Sequence, residues 1–237
     1  MVMDEFIVKK IVNNPKYLKY KYPQFFQPEI QPFINKEWFL KYNKNDWGLR
    51  NNEWVEEIKK ELPKNFYEKR RIGENDDYIC SLIQKDLIED FITSINKNPF
   101  SVNSTINPSI YETNNFLLKK EEISLIEYAL FYGSTQIFNY LRKNGAELKL
   151  SLWIYAVHGQ SEEIIHFLED NKILPNEEQE ESDDDKISFE KIFNEAIKCH
   201  HIDVANYIEN NYLRNNNDQS NNILINCLKY YNFLFIG

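Results

Sequence analysis

ALFYGSTQIFNYL (residues 129–141) and AVHGQSEEIIHFL (156–168) together decide how the chain is read. The second stretch alone suggests chemistry, because His158 and His166 bracket the carboxylates Glu162 and Glu163. Set beneath the first at a spacing of 27 residues, it reads differently. Ala129 falls on Ala156, Ile137 on Ile164, Phe138 on Ile165, Tyr140 on Phe167 and Leu141 on Leu168. His158, Glu162, Glu163 and His166 fall at variable places. The two histidines are eight residues apart with a helix break between them. Two ligands on one helix face would need the one-turn spacing of HExxH. The stretch is therefore expected to hold a shape, with no metal there.

Further copies extend the pattern. AIKCHHIDVANYI (196–208) repeats it 40 residues on, and CLKYYNFLFI (227–236) begins a partial copy with Cys227 in the alanine place. A weaker copy, CSLIQKDLIEDFI (80–92), matches through Cys80, Ile88, Phe91 and Ile92. Each copy reads as a short helix, a turn and a second helix whose apolar residues at i, i+1, i+3 and i+4 make one face. The small Ala or Cys marks a close approach of helices. One hairpin cannot bury its apolar face alone, so copies must stack. The predicted fold is all-α, a solenoid of helical hairpins at about 76–96, 124–146, 151–172 and 191–212, with a partial one at 222–237.

Residues 124–146, SLIEYALFYGSTQIFNYLRKNGA, resemble the ankyrin repeat. Ser124, Ile126, Glu127, Ala129, Leu130, Gly133, Ile137, Phe138, Tyr140, Leu141, Gly145 and Ala146 stand in its consensus places. Later copies drift: Gln160 and His200 replace the mid-repeat glycine, and Lys172 and Tyr212 the terminal one. Glycine most easily adopts φ > 0 after a helix, so the regular β-hairpin fingers of ankyrin are in doubt beyond the first good copy. From about residue 73 onward the phrases IGENDDYICSLIQKDLIEDFI, IYETNNFLL, SLWIYAVHGQSEEIIHFLE and IKCHHIDVANYI look like an ankyrin-type domain-of-unknown-function family expanded in anaerobic protist parasites. The resemblance implies a protein-binding scaffold without assigned chemistry. In such scaffolds the hairpin tips and first helices line the concave binding face. That points to Tyr111, Asn114, Asn115, Tyr128, Tyr132, Tyr155 and His158 as partner contacts.

The rest of the chain frames the repeats. Residues 1–72 are aromatic and proline-punctuated, with short helices expected at 4–13, 29–41 and 52–61. They are expected to cap the open end of the stack, and Trp38, Trp47 and Trp54 offer an aromatic platform as the alternative. The segment 96–120, rich in Asn and Ser with Pro99 and Pro108, reads as an extended finger at the hairpin edge. NEEQEESDDDK (176–186) reads as an acidic loop, and Ser182 before three aspartates is a candidate phosphorylation site. The partial copy ends at Gly237 without room for a second helix, which suggests a shortened gene product or self-association through this edge.

Composition narrows the function. A core can be built from 42% hydrophobic residues, and a net charge of −9 disfavours nucleic acid. Three cysteines without a CxxC pair, no signal-like start and no long apolar run suit a cytoplasmic protein that does not enter a membrane. Contiguous Cys199, His200 and His201 point in different directions on a helix, so they read as helix termination and packing. With Asp203 they form the alternative, a metal site or enzyme. No phosphate loop or nucleophile elbow is present. The expectation is a non-catalytic scaffold for a partner protein, with no cofactor.

Overall fold

The structure, a computed structural model, describes residues 63–97, 101–107, 109–120, 122–175, 187–213, 220–230 and 232. The expected cap helices, Trp38, Trp47, Trp54, the acidic loop with Ser182, and the end of the partial copy from residue 233 lie outside the described residues. Those described are helical, and the only strand-like feature among them is an isolated antiparallel bridge between Thr105 and Ser124. The helices are α1 (Phe66–Ile72), α2 (Tyr78–Gln84), α3 (Ile88–Lys97), α4 (Asn115–Leu118), α5 (Leu125–Phe131) and α6 (Thr135–Lys143). After them come α7 (Leu152–Gly159), α8 (Glu162–Asp170), α9 (Phe189–Lys198), α10 (Ile202–Ile208) and α11 (Ser220–Lys229). A π-helical turn, Glu209–Leu213, continues α10. No helix among the described residues is long and apolar enough to cross a membrane.

The described residues divide into two compact units. The first joins residues 63–75 to 109–118. Here the Arg70 guanidinium donates to the Ile110 carbonyl, and the Thr113 amide donates to the Gly73 carbonyl at 3.0 Å. Tyr111 packs its ring 5.7 Å from that of Phe66, with Lys69 over it at 4.9 Å. Within the segment expected to be a finger, residues 109–118 therefore hold a short helix, α4, and close on the chain before residue 76. Apolar Tyr111 and Leu117 are the reason, because both are buried.

The second unit contains the hairpins α2/α3, α5/α6, α7/α8 and α9/α10, followed by α11. First helices meet in succession: α2 touches α5, α5 touches α7, α7 touches α9 and α9 touches α11, while α3 touches α6. Local chemistry starts these helices. Asp77, Ser124, Ser161 and Ser188 each accept a backbone N–H at an N-terminus, and Ser124 with Glu127 forms a reciprocal capping box. The cap of α6 comes from the preceding hairpin: Asp86 Oδ2 and Oδ1 accept from Gln136 and Ile137, both at 3.0 Å.

A single left-handed residue joins the helices of each hairpin. Asp86, Gly133, Gln160 and His200 have φ of 51°, 66°, 51° and 61°. Lys172, in the place of Gly145, is left-handed too. Loss of glycine thus did not remove these turns. Tyr212 is different, since the π-helical turn runs through its place. Its ring stacks on Phe189 with centroids 3.8 Å apart, and its hydroxyl donates to Glu169. Hydrogen bonds also correct the register of the first copy. Leu87 N–H donates to the Leu82 carbonyl as Ser134 N–H donates to Ala129, so Leu82, and not Cys80, occupies the alanine place.

The small-residue column is buried throughout: Ala129, Ala156, Ala196 and Cys227 are inaccessible to solvent. Ile137, Leu141, Ile164 and Leu168 on the second helices are equally buried. At one place even a β-carbon would not fit. A Cβ on Gly159 would lie 2.7 Å from the Gly133 amide nitrogen and collide with the Leu130 carbonyl oxygen.

Candidate functional site

The residues that could meet a partner follow from what the first helices leave open. Each is packed between neighbouring first helices and its own second helix, so few of its side chains face outward. In α5 Glu127 is the one side chain that is not buried, and in α7 Ile154 is the first such position. The repeat spacing continues this column through Asn194, which is half-buried, to Ile225, which is 59% exposed. Asn194 accepts from the Asn226 side chain at 2.7 Å, and Ser151 donates to Glu127 at 3.3 Å. The row thus mixes two apolar side chains with two that are hydrogen-bonded.

The neighbouring column is the one that sequence reasoning chose, and it packs inward. Tyr128 and Tyr155 are 0% and 2% exposed, and Tyr111 is buried in the other unit, so none of the three offers a surface. Burial disfavours the phenolate and pushes the pKa of Tyr128 and Tyr155 far above that of a free phenol. Tyr132 is half-buried, its ring 4.9 Å from that of Tyr128. Asn114 accepts the Phe116 and Leu117 amides as the cap of α4, and Asn115 beside it is exposed. The suspicious residues of the opening stretch also separate. Glu162 and Glu163 are exposed in the first turn of α8, and His166 is exposed, 2.9 Å from Glu169.

A recurrent polar rung explains His201. In three copies the polar side chain five residues after the small-residue place reaches back to a carbonyl near the end of the preceding first helix. Ser134 donates its hydroxyl to Ile83, Asn232 its amide to Ile197 at 2.9 Å, and His201 Nδ1 lies 2.7 Å from the Val157 oxygen. A carbonyl can only accept, so the Nδ1 of His201 is the protonated nitrogen. Burial pushes the imidazole below its ordinary range, although the Val157 bond opposes this. His200 and Asp203 are exposed and point elsewhere, so the contiguous set Cys199, His200, His201 and Asp203 does not converge.

Cys199 instead meets residues of another kind. His158, on α7, and Glu195, on α9, have Nε2 and Oε1 3.0 Å apart. Cys199 Sγ lies 3.5 Å from His158 Nδ1, 3.8 Å from Nε2 and 3.9 Å from Glu195 Oε1. Their ligand atoms all lie within 4.8 Å of one another. His158 and Glu195 side chains are 11% and 16% exposed, and the imidazole packs 4.8 Å from the Phe131 ring. Lys198 Nζ holds both Glu195 oxygens at 2.8 Å. Burial opposes ionisation of Glu195, but the hydrogen bonds from His158 and Lys198 outweigh it and hold the carboxyl down at about 2. Burial, with the Glu195 carboxylate beside it, pushes the Cys199 thiol up to about 12, so it is no activated nucleophile.

Sequence reasoning missed Glu195, Ile154, Asn194 and Ile225. The signal for Glu195 was present: the repeat spacing places it in the column of Tyr128 and Tyr155, and a carboxylate there needs a partner. Compared with protein-family models, with curated proteins and with solved structures, the chain matches none.

Proposed function

We propose that this protein is a non-catalytic scaffold, an ankyrin-like solenoid of helical hairpins that binds a partner protein through the open row of its first helices. The observation that supports this reading is the column Glu127, Ile154, Asn194 and Ile225, which leaves two isoleucines in reach of solvent at repeat-equivalent positions. A repeat array places such a column along one continuous surface, which suits an extended protein ligand. Apolar side chains rimmed by hydrogen-bonding groups are the usual anatomy of a protein contact. The acidic balance of the chain favours a basic partner and disfavours nucleic acid. Nothing in this binding mode needs a cofactor or a membrane, and a cytoplasmic location fits it.

The test is a quantitative affinity purification from lysate of the source cell, comparing the wild-type chain with an Ile154→Arg/Ile225→Arg variant of unchanged helicity. A protein enriched by the first and lost with the second supports the scaffold. Equal recovery on both baits rules out the row as the binding surface.

A second reading has its own observation. Ile225 and Leu228 on α11 are 59% and 52% exposed, so α11 is an apolar edge on which a second copy would fit. Sedimentation would then show a dimer that Leu228→Lys dissociates. A monomer at all concentrations excludes self-association.

A further inference from the structure

We propose that His158, Glu195 and Cys199 form a binding site for a zinc-type divalent cation that joins α7 to α9. The three supply nitrogen, oxygen and sulfur, the donor mixture that suits zinc and not magnesium or calcium. Their spacing is close to that of a loaded site. With bonds of about 2.0–2.1 Å to nitrogen and oxygen and about 2.3 Å to sulfur, tetrahedral edges measure about 3.3 Å for N–O and about 3.6 Å for S–N or S–O. The corresponding distances are 3.0 Å from His158 Nε2 to Glu195 Oε1, then 3.8 Å and 3.9 Å from Cys199 Sγ to those atoms. Shifts of a few tenths of an ångström bring these distances into range. Cys199 Sγ is nearer still to His158 Nδ1, at 3.5 Å, so loading also requires the imidazole to turn until Nε2 faces the point shared with Sγ and Oε1. A fourth position is left for water.

Helix geometry sets this arrangement. Glu195 and Cys199 are four residues apart, one turn of α9 and its cap, so they lie on the same face. His158 comes from the last turn of α7, held in orientation by the Phe131 ring. The repeat column of His158 contains Phe131 in the preceding hairpin, so an apolar ring is what this place accepts without a ligand. One cation must leave for another to enter: Lys198 occupies both Glu195 oxygens, and its side chain, 32% exposed, can swing into solvent. Loading then replaces the Cys199 thiol proton, which goes to solvent, and displaces the proton that His158 Nε2 shares with Glu195, leaving a neutral imidazole protonated on Nδ1. The set is then neutral, with one divalent cation, one carboxylate and one thiolate. No electron transfer is involved.

The experiment is titration of the reduced full-length chain with cobalt(II) as the spectroscopic probe and zinc(II) as competitor. The expected result is one equivalent bound, a sulfur-to-cobalt charge-transfer band in the near ultraviolet, and its loss on adding zinc. Cys199→Ser should abolish the band, whereas Cys227→Ser should keep it. His158→Phe reproduces the preceding hairpin and should fold while lowering zinc affinity at least about tenfold. Lys198→Met removes the competing ammonium and should tighten binding several-fold, an effect that a purely structural ion pair would not give. Absence of binding at micromolar zinc by folded protein, or a band that survives Cys199→Ser, would overturn the site. Unchanged affinity in Lys198→Met or in His158→Phe would overturn it equally.

Discussion

His201 shows how much one residue's chemistry depends on its place in the repeat. Beside Cys199 and His200 it looks like a ligand, yet its Nδ1 fills the same rung as the Ser134 hydroxyl and the Asn232 amide. The account therefore predicts that His201→Asn keeps most of the stability, because an amide can still donate to Val157. His201→Leu should lose about 1–3 kcal/mol, the cost of leaving a buried carbonyl unpaired. Urea titration of the two variants checks this, and equal losses would mean that ring packing, not the hydrogen bond, is what matters. Glu195 gives a pH prediction. Its folded carboxyl sits at about 2, below its ordinary value of 4.5, so the ionised form favours the folded state. That contribution is complete above about pH 4.5 and is lost as the pH falls toward 2. With chelator present, Glu195→Gln should be less stable than wild type at neutral pH, and the difference should shrink across that window. A constant difference would show that the charge of Glu195 is not what stabilises.

At the scale of elements, the repeat overlay made the second helices and the turns legible. Leu168 and Ile164 are buried where the overlay placed them, and His166 is exposed. Leu168→Ala should cost about 2–5 kcal/mol, as for other buried leucines, while His166→Ala should cost little in the same titration. The backbone conformation of the turns at Gln160 and His200 was harder to read than their presence. Each keeps a left-handed, glycine-like conformation with a side chain attached, which the residue type alone does not indicate. Left-handed backbone is unfavourable for such residues, so Gln160→Gly should raise stability by up to about 1 kcal/mol. One position earlier the sign reverses. Gly159→Ala would drive a methyl into the Leu130 carbonyl and should be among the most damaging substitutions in the chain. Melting curves of this neighbouring pair are a sharp check on the turn geometry.

For the molecule as a whole, the all-α class was legible because the 3.6-residue periodicity recurs in copy after copy. The candidate binding surface was not, for a geometric reason. Tyr128 and Glu127 are adjacent in sequence, but on a helix they point about 100° apart, and only the packing of neighbours decides which is covered. Tyrosine was the attractive choice by residue type, and its ring is what the interior took up. The cluster of His158 with Glu195 and Cys199 was hidden similarly, because it spans two hairpins separated by an acidic insertion that stretches the repeat spacing from 27 to 40 residues. The central claim is that the open first-helix row is where a partner binds. Its most direct test places a photo-reactive residue at position 154 of the full chain, with position 166 on α8 as control, and maps cross-links in cells. The account predicts one dominant protein adduct at 154 and none at 166. Equal labelling at both positions, or labelling at 166 alone, would contradict it.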